Sequence, residues 1–325
     1  MNIKNNTSVL ILGATGFIGT NLLIFFQKKN YQVTAVYNKR KPRIFHKNIN
    51  WIKCDLRKSN LIKKKLFFKD YDLVIQAAAT TSGSKDIINT PSLHVTDNAV
   101  MNSYLLKHFS ESLSKHFIFF SCTVMLQSSS KQIIEKDFDA SKDPVDKYFG
   151  VGWTKVYVEK MLNFYSKLNP SKKYTVIRHS NIFGEFDKFD LNKGHVLASA
   201  IVKIFNSNSD QIEMWGDGKE GRDFLYIKDL INFVFLCYKR QRNNFSIFNC
   251  GSGKIISIMN VYKSIMLITG KTLKIKKNLD KPSIKFNVKL NTKKAKTILG
   301  WENKTSFNDG LKKTINWYKA NFKIE

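Results

Sequence analysis

Three glycines in the run Gly13-Ala14-Thr15-Gly16-Phe17-Ile18-Gly19 carry the clearest chemistry in the chain. The apolar run Ser8–Leu12 stands directly before them, and a helical pattern from Phe17 to Lys29 follows. A strand that passes through a glycine turn into a helix offers free N–H groups, at the positive end of the helix dipole, to an anionic ligand. One glycine makes the tight turn, another lets a pyrophosphate approach the backbone, and the third lets helix and strand pack closely. The expected ligand is a dinucleotide held by Gly13, Thr15, Gly16, Phe17, Ile18 and Gly19.

Its adenosine end falls about 20 residues further on, where an acid usually binds the ribose. Tyr37 occupies that position, followed by Asn38, Lys39 and Arg40. No carboxylate meets a 2′-hydroxyl there, and two cations are available for a 2′-phosphate. This favours NADP(H), with NAD(H) left open because lysine is abundant along the whole chain. Asp55 and Leu56, after the third strand, are placed to touch the adenine edge. Ala77, Ala78 and Ala79, after the fourth, let the cofactor lie close to the backbone.

These residues need a scaffold that brings strand ends together. Strand patterns at Ser8–Leu12, Gln32–Tyr37, Asn50–Lys53, Leu73–Ala77, His116–Ser121 and Tyr174–Arg178 alternate with helical ones, the later of which are Asp97–Leu113 and Trp153–Leu168. Such alternation predicts a parallel sheet covered on both faces, with the ligand crevice along the strand carboxyl ends. After about Asn181 the pattern loosens. Asp187–Gly194 is polar and turn-rich, and Lys203–Ile212 and Trp215–Asp223 read as loops around short elements. Helices follow at Lys228–Arg240 and Ser257–Thr269, and a strand at Phe245–Asn249 is available to rejoin the sheet. The expected architecture is α/β: a Rossmann-type doubly wound parallel sheet over residues 1–180 and a smaller C-terminal α/β substrate lobe over 181–325.

The composition is compatible with that fold. The chain has 325 residues, 43% of them hydrophobic, enough for a substantial core. Lys and Arg number 54 against 25 Asp and Glu, for a net charge of +29. The lysines are scattered, with no basic block interleaved with stacking aromatics, so nucleic acid is not the expected partner. A diffuse positive field still attracts a diphosphate. Cys54, Cys122, Cys237 and Cys250 lie far apart without a C-x-x-C pair, which fits a reducing compartment and no metal site. No run approaches the ~20 apolar residues of a membrane span. A cytoplasmic protein is expected.

Further motifs resemble one family. Asn98, Phe120-Ser121-Cys122-Thr123-Val124, Gly152-Trp153-Thr154-Lys155-Val156-Tyr157-Val158-Glu159 and Asn181-Ile182-Phe183-Gly184 stand where the extended short-chain dehydrogenase/reductases carry their motifs. So do Trp215-Gly216-Asp217-Gly218, Arg222 through Asp229, Asn249 through Gly253 and the stretch from Lys281. The resemblance spans nearly the whole length, and Asp187 through Val196 is most similar to the GDP-fucose synthase branch. It implies a nucleotide-sugar epimerase, dehydratase or reductase. Asn98 would be the structural asparagine, and His179 would lie by the cofactor. Lys155 would bind the nicotinamide ribose and Ser121 the sugar oxygen. Asn181, His195, Lys203, Trp215, Arg222 and Lys285 would meet the nucleotide-sugar, arginine suiting phosphate and an aromatic suiting the base.

The chain departs from that family at the proton donor. A tyrosine is expected four residues before the lysine, whose ammonium lowers its pKa, but Val151 stands there. Tyr148 is seven residues from Lys155, about 10 Å along a helix axis. It serves only if the helix begins after it and the chain folds back at Gly150 and Gly152. Otherwise Ser121, Thr123 or water takes the role, or the protein is catalytically dead. The epimerase pair of Cys and His is half present, with His195 in place and Thr123 at the cysteine position. The leading expectation is redox chemistry at C4 of a GDP-sugar, by a homodimer formed through the helices at Asp97–Leu113 and Trp153–Leu168. An epimerase or dehydratase is the second enzyme reading. A non-catalytic binding protein for cofactor, sugar nucleotide or RNA is the reading of another class.

Overall fold

The computed structural model describes residues 7–81, 90–191, 194–281 and 287–322. Apolar runs without polar alternation become strands buried on both faces, as parallel sheets require. These are β1 (Ser8–Leu12), β4 (Leu73–Gln76), β5 (His116–Cys122) and β7 (Lys173–His179). With β2 (Gln32–Tyr37), β3 (Ile49–Lys53) and β11 (Phe245–Cys250) they form a parallel sheet in the order β11-β7-β5-β4-β1-β2-β3. The order reverses between β1 and β4, so the loops leaving their carboxyl ends part and open a crevice there.

Successive side chains on β1 separate the two cores. Val9 and Ile11 join the core that includes α1 (Phe17–Lys28), whereas Leu10 and Leu12 face the other. That second core holds α2 (Ser59–Lys65), α3 (Thr96–Glu111) and α4 (Phe149–Leu168) against the sheet. The strand expected at Phe245–Asn249 does rejoin the sheet, as β11 beside β7.

The C-terminal elements continue the first core. β8 (Asn181–Phe183), β10 (Gly221–Tyr226) and β12 (Ile255–Ser257) form one small sheet. β9 (Gln211–Trp215) pairs in parallel with β13 (Lys274–Asn278). The helices α5 (Val196–Phe205), α6 (Ile227–Arg240), α7 (Ile258–Thr269) and α9 (Phe307–Asn321) bury apolar faces in the core of β1 and α1. Further elements are β6 (Gln132–Ile133), its partner β14 (Lys289–Leu290) and α8 (Lys293–Leu299).

Two local expectations are corrected. The stretches read as loops at 203–223 contain most of β9 and the start of β10, whose partners lie far along the sequence and leave no local periodicity. The helix expected from Trp153 begins at Phe149, so the chain does not fold back at Gly150 and Gly152. Those glycines serve close packing. A Cβ on Gly152 would sit 2.7 Å from Pro144 Cγ, and one on Gly150 would sit 2.8 Å from Val95 Cγ2.

A buried histidine gives the fold a pH dependence. His116 Nε2 lies 2.7 Å from Thr175 Oγ1, and burial, aided by Lys173, holds its pKa down at about 3. The unfolded chain takes up that proton near pH 6.5. The stabilisation is therefore complete above 6.5 and is lost as pH falls toward the folded value. Denaturant midpoints should fall on acidification, with His116 accounting for on the order of 3 kcal/mol between pH 6.5 and about 4. The His116→Gln variant, which keeps a polar partner for Thr175, should show a shallower acid limb.

Candidate active site

The glycine loop is shaped by contacts that exclude side chains. Gly13 has φ 74°, and a Cβ there would lie 2.6 Å from Ala78 Cα. The Gly16 N–H donates to Gly13 O at 3.0 Å, and the Ala14 N–H ties the loop to β2 through Val36 O at 2.9 Å. A Cβ on Gly19 would collide with the Gly13 carbonyl. Gly16 is also the N-cap of α1 and supplies no side-chain cap, so the first turn keeps its N–H groups for a ligand. This bare cradle, at the point where strand order reverses, fits the pyrophosphate of a dinucleotide.

At the adenosine end a cavity of about 360 Å³ is lined by Tyr37, Lys39, Lys41, Phe45, Trp51 and Lys53, among others. Arg40 Nη1 donates to Thr15 O at 3.2 Å, which brings its guanidinium onto the glycine loop. Asn38 also borders the cavity. Asp55 pairs with Arg57 at 2.8 Å, and hydrogen bonding from that guanidinium holds its carboxyl at about 2. Leu56 is buried in the second core. Asn98 has a positioning role: Oδ1 accepts from Thr80 N–H, and Nδ2 donates to Thr80 O and His94 O. It thereby staples the segment following Ala77, Ala78 and Ala79 to the start of α3.

The centre of the site forms where β5 and β7 end beneath α4. Lys155 Nζ donates to Phe120 O at 2.8 Å and lies 4.8 Å from the centroid of the Phe119 ring. Burial pushes its ammonium below the usual range, while Cys122 and Glu159 push it back up. Ser121 is fully buried, and its Oγ donates to Glu159 Oε1 at 2.6 Å. The same carboxylate receives Arg178 Nη2 at 2.7 Å in a pair that is 5% and 3% exposed. The Ser121 hydroxyl is thus turned inward, contrary to its expected aim at the sugar oxygen. A strand points successive side chains to opposite faces, so the half-buried Cys122 takes the other side. Cys122 is in register with His179 on β7, and the Val124 N–H is directed at its sulfur. Thr123 is 7% exposed.

Tyr148 is the residue before α4. Its ring packs in an apolar cluster with Met125, Leu126, Val156 and Leu290, against which Val151 also rests. Burial raises its phenol pKa, Arg222 opposes that and Cys122 adds to it. His195 is the exposed N-cap residue of α5. It interacts with Asp187, whose pKa burial raises and His195 lowers. It also acts on His179, whose pKa burial, Lys155 and His195 hold at about 4 while Nδ1 sits 2.7 Å from Ser180 O.

Farther out, Lys203 Nζ donates to Glu213 O at 3.2 Å and stands 4.9 Å from the Trp215 ring centroid. The Trp215 indole N–H donates to Glu213 Oε1, and Lys281 approaches the same ring. A half-exposed indole flanked by ammonium groups suits a base and its phosphates. Arg222 Nη1 donates to Gly221 O, and Asn181 Nδ2 to Asp223 O. Lys285 lies outside the described residues. Reading the sequence missed Cys122, Glu159 and Asp187 as parts of the centre. Glu159 had a usable signal, one helical turn beyond Lys155.

The sequence profile of the NAD dependent epimerase/dehydratase family matches residues 9–251, from the first strand to the loop after β11. The chain belongs to that family. GDP-L-colitose synthase of Yersinia pseudotuberculosis is 24% identical, covering 95% of this chain and 97% of its own. GDP-L-fucose synthase of Azorhizobium caulinodans is also 24% identical, covering 95% and 96%. Among solved structures, UDP-glucose 4-epimerase of Thermotoga maritima, with UDP-glucose, superposes with a TM-score of 0.86 at 22% identity. It covers 97% of this chain and 99% of that one. The family is one of nucleotide-sugar enzymes on a nicotinamide-dinucleotide fold, and the chain shares its Rossmann-like architecture.

Two outcomes follow from the geometry. Gly13→Val should abolish dinucleotide binding in calorimetry, because its Cβ would strike Ala78. Glu159→Ala should lower the unfolding free energy by about 3–5 kcal/mol, because Arg178 is then buried without its counter-charge. Chemical denaturation measures that loss.

Proposed function

We propose that this family member is an NAD(P)-dependent nucleotide-sugar oxidoreductase that oxidises or reduces C4 of a GDP-linked sugar in glycoconjugate biosynthesis. The observation that carries the reading is Lys155, fixed on Phe120 O near the carboxyl end of β5, at the same end of the parallel sheet as the glycine loop that follows β1. A bound nicotinamide dinucleotide supplies the acceptor or donor of hydride. The chain's task is to hold the sugar oxygen, supply or remove its proton and exclude water. Lys155 supports the nicotinamide ribose and places a positive charge where the oxygen becomes negative. Trp215, Lys203 and Arg222 receive the base and diphosphate. GDP is favoured by the similarity to GDP-L-colitose and GDP-L-fucose synthases.

NADP(H) is the favoured cofactor, since Lys39 and Lys41 line the cavity at the adenosine end, Arg40 reaches the glycine loop, and no carboxylate is among the residues lining that cavity. The protein acts in the cytoplasm as a homodimer through α3 and α4, a reading supported by Tyr157, Phe164 and Leu168, apolar residues that α4 leaves exposed. A second reading, epimerisation, is supported by His195 beside the buried Asp187, a pairing that suits a base.

The test is a panel of GDP- and UDP-linked 4-keto sugars and 4-alcohols, followed by the absorbance of reduced nicotinamide. Turnover of a GDP-sugar with NADP(H) preferred is the expected result. Arg40→Asp combined with Lys39→Asp should weaken NADPH binding roughly 10- to 100-fold, with a smaller effect on NADH. Cofactor binding without turnover of any sugar nucleotide, joined to salt-sensitive RNA binding, would overturn the enzyme reading.

A further inference from the structure

We infer that Cys122, rather than Ser121 or Tyr148, is the side chain that holds the reacting sugar oxygen and exchanges its proton. The inference rests on the nucleotide-sugar redox reading and names the acid that reading requires. Three placements lead to it. Ser121 spends its hydroxyl on Glu159 inside the protein, and Thr123, just past the end of β5, is largely buried. Cys122 lies between them at the carboxyl end of β5, half-buried and turned the other way, beside His179. Lys155 reaches the same strand end, its Nζ on the carbonyl two residues before the thiol.

The surroundings of the sulfur suit proton exchange. Lys155 and Glu159 from α4, Tyr148 from the turn before it and His179 from β7 are the titratable groups about it. Burial, joined by Glu159, raises the thiol pKa against the opposing pull of the Lys155 ammonium and the Val124 N–H, so the sulfur rests protonated, as a proton donor must. Lys155 acts on Cys122, whereas the cation acting on Tyr148 is Arg222. Lys155, held on the Phe120 carbonyl, is thus the cation at the strand end that carries the thiol, and Val151 leaves no hydroxyl one helical turn before it.

In the direction of reduction the balance is simple. A hydride from the reduced nicotinamide dinucleotide forms the new C–H bond at the carbonyl carbon. The carbonyl π pair becomes the new O–H bond by taking the proton from sulfur. The S–H bond pair stays on sulfur as a thiolate, and water returns the proton afterwards. Oxidation runs the same steps in reverse, with the thiolate accepting the hydroxyl proton.

The first test uses the cofactor-free protein. Iodoacetamide followed by peptide mass mapping should modify Cys122 before the buried Cys54, Cys237 and Cys250. The Lys155→Met variant should slow that reaction several-fold at neutral pH, and nucleotide-sugar with cofactor should protect the thiol. In turnover, Cys122→Ala should lower kcat about 100-fold or more with dinucleotide affinity unchanged, and Cys122→Ser should restore part of it. Undiminished kcat in Cys122→Ala overturns the inference, as does loss of turnover in Tyr148→Phe but not in Cys122→Ala. A Cys122 that nucleotide-sugar leaves unprotected also overturns it. Wild-type protein that turns over no nucleotide-sugar defeats the underlying reading instead. Protection of Cys122 by the bound sugar nucleotide then still decides whether the thiol borders the ligand.

Discussion

The buried pair of Glu159 and Arg178 fixes the chemical centre of this molecule. It joins α4 to β7, and through the Ser121 hydroxyl it also grips β5. Isolated, either charge would be costly in so dry a place, and the pair is tolerable because both carboxylate oxygens and all three guanidinium nitrogens find a partner. Arg178 uses a further N–H on Glu135 O and stacks its guanidinium over Phe138. The arrangement sets the rotation of α4 about its axis and the facing of the end of β5. With Glu159 held inward, Lys155 one turn earlier reaches Phe120 O, and Ser121 cannot turn outward.

Around this anchor the two halves of a ligand site are organised differently. The dinucleotide end is backbone: bare glycines, a helix start without a cap and a reversal of strand order that parts two loops. The other half is side chains from several elements on two cores: Trp215 follows Met214 of the first, whereas Lys155 stands on α4, which packs in the second. Their separation is therefore set by the sheet that lies between the two cores.

The lysine excess also divides once the structure is seen. Lys172 Nζ donates to the carbonyls of Phe109 and Ser110, and Lys271 Nζ to those of Ile204 and Phe205. Both cap the carboxyl ends of helices, α3 and α5, where cations are stabilising. Others, at Lys39, Lys41 and Lys53, gather at one cavity near the glycine loop. Part of the net charge is thus structural and part is local to a site, which a count along the sequence cannot separate.

Local chemistry was legible from residue order alone. The glycine loop, the alternation of strands and helices, Lys155, and the absence of an acid after β2 all depend on neighbours a few residues apart. So did the vacancy at Val151, since helical spacing states where the tyrosine should have been. Tertiary structure decided what depends on partners distant in the chain. β9 and β10 were unreadable because their ladders are closed by β13, β8 and β12. Ser121 and Cys122 are adjacent and chemically similar, and no spacing rule tells which of them is engaged inside the protein. Glu159, thirty-eight residues away from Ser121, makes that choice by claiming the serine hydroxyl, because only the folded chain brings the two together.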